Sequence, residues 1–311
     1  MATYLVTGGA GFIGSHLVEA LVARGEKVRV VDSLVTGRRE NLGQVAGVDL
    51  TVGDLADSAV ADHVVKGIDY VVHLAATPSV SRSIEDPIGS HKDNVAVTLS
   101  LLSAAKRHRV RRVVFASSSA IYGNTATVPS GEDLKPDPLS PYALQKLIGE
   151  QYGKLFQKLY GLDTVVLRYF NVFGPRQDSF SPYSGVISIF SRCLIEGRQP
   201  VIYGDGEQTR DFTYVDNVID GTLRACTAPK ASGEVINVSC GDRVTLNVLF
   251  ELMRQFSGVE VRPKFAELRP GEVRHSQADI SRAKALLGYQ PVVAFREGLR
   301  RTIEWYQAQV V

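Results

Sequence analysis

In "SPYALQKLIGEQY", a tyrosine and a lysine stand four residues apart, as Tyr142 and Lys146. On a helix that spacing puts both on one face, one turn apart. An ammonium beside a phenol favours the phenolate and lowers the tyrosine's pKa. A tyrosine prepared in this way serves as a general base near neutral pH. The pair alone is a weak signal, because any surface helix can show it. Its company strengthens it: "FASSSAIYG" (115–123) lies upstream, and Ser118 precedes Tyr142 by 24 residues. A hydroxyl there would bind the same substrate oxygen that the tyrosine deprotonates.

A second chemical feature is "TGGAGFIG" (7–14). Gly9, Gly11 and Gly14 make GxGxxG, and Gly8, Gly11 and Gly14 make GxxGxxG. The run follows a predicted strand and opens a predicted helix, the setting in which such a motif cradles a dinucleotide pyrophosphate. The helix N-terminus offers unpaired N–H groups to the phosphates. Asp32 ends the next strand, 21 residues after Gly11. Its carboxylate would accept from both adenine-ribose hydroxyls of NAD and repel the 2′-phosphate of NADP, with Arg38 and Arg39 nearby to soften that repulsion. Asp54, in "VGDLAD", is read as an adenine contact, with a helix N-cap as the competing role. NAD is the expected cofactor, and the charge of its oxidised nicotinamide would further favour the Tyr142 phenolate.

These groups need a frame. "TYLVTG" (3–8), "KVRVVD" (27–32), "DYVVHLAA" (69–76), "RRVVFASSS" (111–119) and "LDTVVLRYFNVFG" (162–174) read as strands. Helical patterns fall between them at 15–25, 94–108 and from Pro141, with Ser140 as cap. Strand and helix in alternation predict a parallel sheet with helices on both faces, and the continuous Val/Ile/Leu runs fit strands buried on both sides. The expected fold is α/β: a Rossmann-like doubly wound parallel sheet with a smaller C-terminal α/β substrate domain. "EVINVSC" (234–240) and the helix before it can return to the first sheet. The boundaries are therefore 1–171 plus about 212–240 for the NAD-binding domain, and 172–211 plus 241–311 for the other.

Taken together, TGGAGFIG, the strand-end Asp32, HLAA, SSSxxYG, YxxxK, RYFNVFGP and RPGE run in an order that resembles the extended short-chain dehydrogenase/reductases. Within them the chain is most similar to the NAD-dependent UDP-hexose 4-epimerases, over nearly its whole length. The resemblance implies a tightly held NAD, reduced and reoxidised within each turnover. It implies Ser118 as the catalytic serine, with Ser117 and Ser119 as bystanders or cofactor contacts, Tyr142 as base and Lys146 as the residue on the nicotinamide ribose. Asn94 matches an asparagine near that lysine. Further cofactor contacts fall on Gly8, Gly11, Phe12, Ile13, Gly14, Ser33, Arg38, Leu55, Leu74, Ala75, Ala76, Ser117 and Tyr169. For the UDP-sugar, Asn171, Arg210 and Arg269 match diphosphate contacts, Glu272 a uridine-ribose contact, and Gly185, Val186 and Tyr203 the walls of a uracil slot.

Ser276 falls where the family's sugar-pocket gate stands; a small residue there leaves room for a C2 N-acetyl group. UDP-Glc/UDP-Gal and UDP-GlcNAc/UDP-GalNAc are the substrates implied. A UDP-glucuronate 4-epimerase is the runner-up, with Ser79, Ser81, Arg82 or Thr125 to receive the carboxylate. Related dehydratases carry an acid pair just after the serine, and decarboxylases a glutamate. Here those positions are Ser119, Ala120 and Ile121, which transfer no protons in that role. A dehydrogenase that consumes NAD ranks third. From a different class, a non-catalytic dinucleotide-binding regulator would have no need of Ser118, Tyr142, Lys146, Arg210 and Arg269 together. A homodimer through the helices at 94–108 and 141–160 is also implied.

Composition narrows the field. The 35 Lys+Arg and 33 Asp+Glu nearly cancel, which leaves no electrostatic footprint for nucleic acid or membrane. Cys193, Cys226 and Cys240 form no disulfide framework and read as buried thiols. The six histidines show no metal spacing, so no metal is expected. His73 and His275 read as structural, Trp305 and Tyr306 as core. "MATYLVTGGAG" carries no signal-peptide pattern, and no run reaches the ~18 apolar residues of a membrane span. The expectation is a soluble cytoplasmic enzyme.

Overall fold

The computed structural model describes residues 1–43, 45–179, 185–268 and 273–309. Its strands are β1 (Thr3–Thr7), β2 (Lys27–Asp32), β3 (Asp49–Val52), β4 (Tyr70–His73), β5 (Arg112–Ser118), β6 (Thr164–Tyr169), β7 (Val172–Phe173), β8 (Val201–Tyr203), β9 (Thr209–Arg210), β10 (Thr213–Tyr214), β11 (Val235–Val238), β12 (Val244–Thr245) and β13 (Lys264–Ala266). Its helices are α1 (Phe12–Ala23), α2 (Ser58–Val65), α3 (Val80–Glu85), α4 (Pro87–His91), α5 (Val97–Arg107), α6 (Pro141–Tyr160), α7 (Val186–Ile195), α8 (Val215–Thr227), α9 (Leu246–Ser257), α10 (Ser281–Leu287) and α11 (Phe295–Ala308).

Seven parallel strands form one sheet in the order β11-β6-β5-β4-β1-β2-β3. Successive side chains leave opposite faces of a strand. In β1, Tyr4 and Val6 enter the core shared with α1 and α8, while Leu5 enters the core shared with α2 and α5. Both faces are thus covered, which is why these strands read as unbroken apolar runs. Burying a side chain such as Leu5 contributes about 1.5–3 kcal/mol. The order reverses between β1 and β4, and the crevice at the carboxyl ends of these strands is where such sheets bind ligands. Residues 235–238 return to the sheet beside β6, as their sequence predicts.

The remaining short strands pair in twos, β7 with β10, β9 with β12 and β8 with β13, around α7, α9 and α11. Cys193 and Cys226 are buried and Cys240 is half-buried. His73 is packed, held between Thr7 and Thr98 at 2.8 and 3.0 Å. Burial, with the Lys146 charge adding, lowers its pKa to about 3. Among the described residues no helix is long and apolar enough to cross a membrane.

Candidate active site

The carboxyl ends of β1, β2, β4, β5 and β6 open into one cleft of about 1730 Å³. A drug-sized ligand needs roughly 300–1,000 Å³, so the cleft has room for two molecules. The turn from β1 into α1 forms its floor. Gly8 has φ +68°, and a Cβ there would come within 2.9 Å of the Ala75 amide nitrogen. A Cβ on Gly14 would come within 2.1 Å of the Gly8 carbonyl oxygen, so only glycine lets α1 sit this close to the turn. Gly8, Gly11 and Gly14 line the cleft; Gly9 instead packs on Val30. The GxxGxxG reading is therefore the one that faces the ligand.

No side chain caps α1, which leaves its first N–H groups for an anion. The Asp32 carboxylate accepts from the amides of Ala10 and Leu34, at 2.9 and 2.8 Å on separate oxygens. Each oxygen keeps a lone pair for a ribose hydroxyl. Phe12, Ile13, Ser33, Arg38, Leu55, Leu74, Ala75, Ala76 and Tyr169 line the same wall. Asp54 lines it too and pairs with Lys92 at 3.0 Å. The cap of α2 is Asp57, so the capping alternative for Asp54 falls away. The glycine cradle, the open helix end and the carboxylate at the strand tip fit NAD.

At the other end of the cleft, β5 meets α6. Ser140 caps α6 by accepting from the Ala143 amide at 3.2 Å, and Pro141 occupies its first turn. That start is fixed from outside as well: the Tyr142 amide donates to Ser83 Oγ at 3.0 Å. Lys146 Nζ donates to the Ala116 carbonyl at 2.8 Å and lies 5.9 Å from the Tyr142 ring centroid. Ser118 lies beside the Tyr142 phenol and acts to lower its pKa. The three groups expected together are together.

Their acidities differ from expectation. Burial pushes the Tyr142 phenol up to about 12, and neighbouring Ser118 offsets only part of that. Lys146 does not lower it, because burial brings the lysine itself down to about 8, with Glu150 holding it up. Removing two charged forms from water outweighs their mutual help.

Asn94 stands behind the cleft. Its amide accepts from the Thr77 amide and donates to Gln145, both at 2.8 Å, and it does not line the cleft. In this arrangement it braces the wall. Ser117 lines the cleft, but its hydroxyl donates inward to Glu150 at 2.5 Å.

At the far end Asn171, Gly185, Arg210 and Ser276 line the cleft. Val186 and Tyr203 do not. Val186 begins α7 and packs on the core, and Tyr203 ends β8 in the small sheet with β13. Arg269 and Glu272 lie outside the described residues. The segment with Ser276 is held on both sides: its amide donates to the Thr209 carbonyl at 3.1 Å, and Ser130 donates to the Gln277 carbonyl at 2.8 Å. His275 lines the cleft beside it, bonded to Thr209 Oγ1 at 2.9 Å. Trp305 and Tyr306, both read as core, line the cleft, Tyr306 from a buried position.

The sequence reading missed Asp211. It is fully buried, and its carboxylate accepts from the amides of Cys240, Gly241 and Ala278 at 3.0–3.2 Å. Its carbonyl accepts from Asn171 Nδ2 at 3.0 Å. One residue thereby ties three segments of the substrate end together. Its place directly after Arg210 was the available signal.

The family model described as "NAD dependent epimerase/dehydratase family" matches residues 4–239. The chain belongs to that family. NAD is its cofactor. The chain is 40% identical to the UDP-glucose 4-epimerase of Mycolicibacterium smegmatis over 310 residues, 97% of this chain and 98% of that one. The structure of UDP-glucose 4-epimerase from Thermotoga maritima with UDP-glucose superposes with a TM-score of 0.95 at 38% identity, covering 99% of this chain and 100% of that one. That of UDP-N-acetylglucosamine 4-epimerase from Methanobrevibacter ruminantium, in complex with UDP-N-acetylmuramic acid, gives 0.95 at 41% identity, covering 99% of each. This chain is an NAD-dependent enzyme of the UDP-sugar 4-epimerase type.

Proposed function

We propose that the chain inverts C4 of UDP-hexoses through a transient 4-keto sugar. The substrates are UDP-Glc/UDP-Gal and, through the space beside Ser276, UDP-GlcNAc/UDP-GalNAc. The observation that carries this reading is that Ser118, Tyr142 and buried Lys146 line one end of a cleft whose far wall presents Arg210 and Ser276.

Bound NAD supplies a hydride acceptor and donor for C4. Gly8, Gly11, Gly14 and Asp32 hold it, and Lys146 holds its nicotinamide ribose. Tyr142 takes the proton of the sugar 4-OH and returns it. Ser118 hydrogen-bonds the same oxygen and keeps it in reach. Arg210 and Asn171 grip the diphosphate, as a forked guanidinium suits phosphate oxygens. With grip on the nucleotide, the 4-keto sugar turns over in the pocket and presents its other face.

Of the positions after Ser118, Ser119 and Ala120 line the cleft and Ile121 is fully buried. None supplies the extra proton donor and acceptor of dehydration. We assign residues 1–171 with about 212–240 to the cofactor, and 172–211 with 241–311 to the UDP-sugar. The working form is a homodimer.

The test is incubation of purified protein, without added NAD, with UDP-Glc, UDP-GlcNAc and UDP-glucuronate separately, and separation of the products. Both neutral sugars should yield their 4-epimers. UDP-Glc alone would sink the open gate at Ser276. UDP-glucuronate alone would replace the substrate class. No product, even with NAD supplied, would refute the epimerase reading.

A further inference from the structure

Behind the active-site pair lies a buried ion pair that the chemistry above does not use. Glu150 is fully buried, four residues after Lys146 on the same face of α6. Its carboxylate accepts from Arg168 Nε at 2.9 Å, Arg168 Nη2 at 2.8 Å and Ser117 Oγ at 2.5 Å. Arg168 is 3% exposed, and its Nη1 donates to Tyr122 Oη at 2.9 Å. Two successive residues at the end of β5 thus hold two successive turns of α6. The Ala116 carbonyl takes Lys146 and the Ser117 hydroxyl takes Glu150, while Ser118 faces the same cleft as Tyr142.

We propose that Glu150 is a positioning residue for the reaction: its buried carboxylate keeps Lys146 a cation and clamps the end of β5 in register with α6. The clamp rests on the epimerase reading for its purpose, but not for its test.

Two buried cations, Lys146 and Arg168, share one buried anion. A buried lysine loses its proton readily unless an opposite charge stands close. Around Lys146 the titratable and charged groups are few. Glu150 and Tyr142 share its helix, His73 comes from β4, Arg168 from β6 and Tyr122 from the turn after β5. The elements packed against the start of α6 present uncharged Ser83, Ser90 and Asn94, and the Arg82–Asp93 pair at 3.8 Å, whose charges offset each other. Of the two anions, Glu150 is the one whose charge acts on Lys146. Lys146, already lowered to about 8, stands where a further small drop leaves it largely neutral near pH 7.5. A neutral amine is a poorer partner for a ribose hydroxyl.

The experiment follows the Lys146 ammonium directly, in protein labelled with ¹³C at lysine Cε, with its signal assigned by loss in Lys146→Met. Glu150→Gln should lower the titration midpoint by about one unit or more, a tenfold change in proton affinity. Arg168→Gln leaves the Glu150 charge unshared and should raise it. In turnover, Glu150→Gln should move the alkaline limb of the kcat–pH profile down in parallel, with KM for UDP-Glc changed less than about twofold. A residue that merely holds the fold would lower the melting temperature and leave both midpoints in place. Midpoints that agree with wild type, or that move the same way in both variants, overturn the proposal. If Glu150→Gln does not fold, Arg168→Gln decides alone: a raised midpoint supports the proposal and an unmoved or lowered one overturns it. The titration needs no substrate. A wild type without epimerase activity would strike the reaction and leave this comparison standing.

Discussion

Burial works against Tyr142 as a base. Its phenol is held up at about 12 in a pocket that leaves it 9% exposed. In the proposed mechanism its proton is therefore drawn off only when the full site is assembled, with Ser118 beside it. Tyr142→Phe should keep its NAD, read from bound nucleotide after denaturation, and lose roughly 10²–10⁴ in kcat. Retained turnover would move the base elsewhere. Asp211 makes a prediction about stability. Burial outweighs the bonds from the Ala278, Cys240 and Gly241 amides and Ser239, and raises its pKa from 3.8 to about 6. The folded chain then binds this proton more tightly than the unfolded chain. The stabilisation is fully present below 3.8 and lost as pH rises through about 6. Wild type should therefore gain on Asp211→Asn as pH falls from 7 to 4, by about 3 kcal/mol at most. Parallel urea melts of the two proteins would read it, and a constant gap would refute it. Ser118, Tyr142 and Lys146 are legible in the sequence because their spacing is chemical. Asp211, Glu150 and Arg168 are not, because a charged residue in a sequence is by default exposed. Only contacts distant along the chain reveal that these three are buried.

At the scale of elements, α6 is the part that carries the chemistry. Its start is legible from Ser140 and Pro141, and its end from Gly161, which takes the left-handed conformation at φ +69°. α1 is less so. It begins at Phe12 and not at 15, because Gly14 reads as a breaker until its packing against Gly8 is seen. Residues 92–96 form a π-type turn before α5, which a 3.6-residue pattern does not foretell. Val186 and Tyr203 stand off the cleft for a similar reason: an apolar run shows that a segment packs, but not on which side. The close seat of α6 on β5 depends on Gly149. A Cβ there would come within 2.5 Å of the Phe115 ring, which itself lies under Lys146 Nζ, 5.1 Å from the ring centroid. Gly149→Ala gains about 1 kcal/mol of helix propensity and loses about 1–3 kcal/mol to overpacking. Net stability should change little, by less than about 2 kcal/mol. Activity should fall at least tenfold, because α6 must lift from β5 and carry Tyr142 from Ser118. Equal kcat in wild type and variant, measured with UDP-Glc, would show that the ring yields and the helix does not.

At the scale of the whole molecule, the sheet is legible from alternation alone, including the return of 235–238, because a strand buried on both faces must be apolar throughout. The proposed association with a second copy rests on what the fold leaves uncovered. One face of α6 is spent inward on Tyr142, Lys146, Gly149, Gly153 and Phe156. The opposite face carries Leu144, Leu155 and Leu159, 48%, 44% and 58% exposed, with Ile148 and Tyr152 half-buried between them. These five recur at helical spacing, an apolar stripe along a helix already packed on its other side. Tyr160 ends the stripe under Lys106, whose Nζ lies 4.3 Å from the ring centroid. A stripe of this kind meets a two-fold copy of itself more readily than an unrelated surface, since each leucine finds an equivalent apolar partner. A net charge of +2 does little to oppose the approach. Sedimentation velocity of wild type should give a two-chain species. Leu155→Glu with Leu159→Glu should give one chain, because the carboxylates would face each other across the axis in a dry seam. These side chains point away from the cleft, so bound NAD should persist in the monomer. A wild type that sediments as one chain at micromolar concentration would remove the dimer, and a two-chain double variant would move the interface off α6.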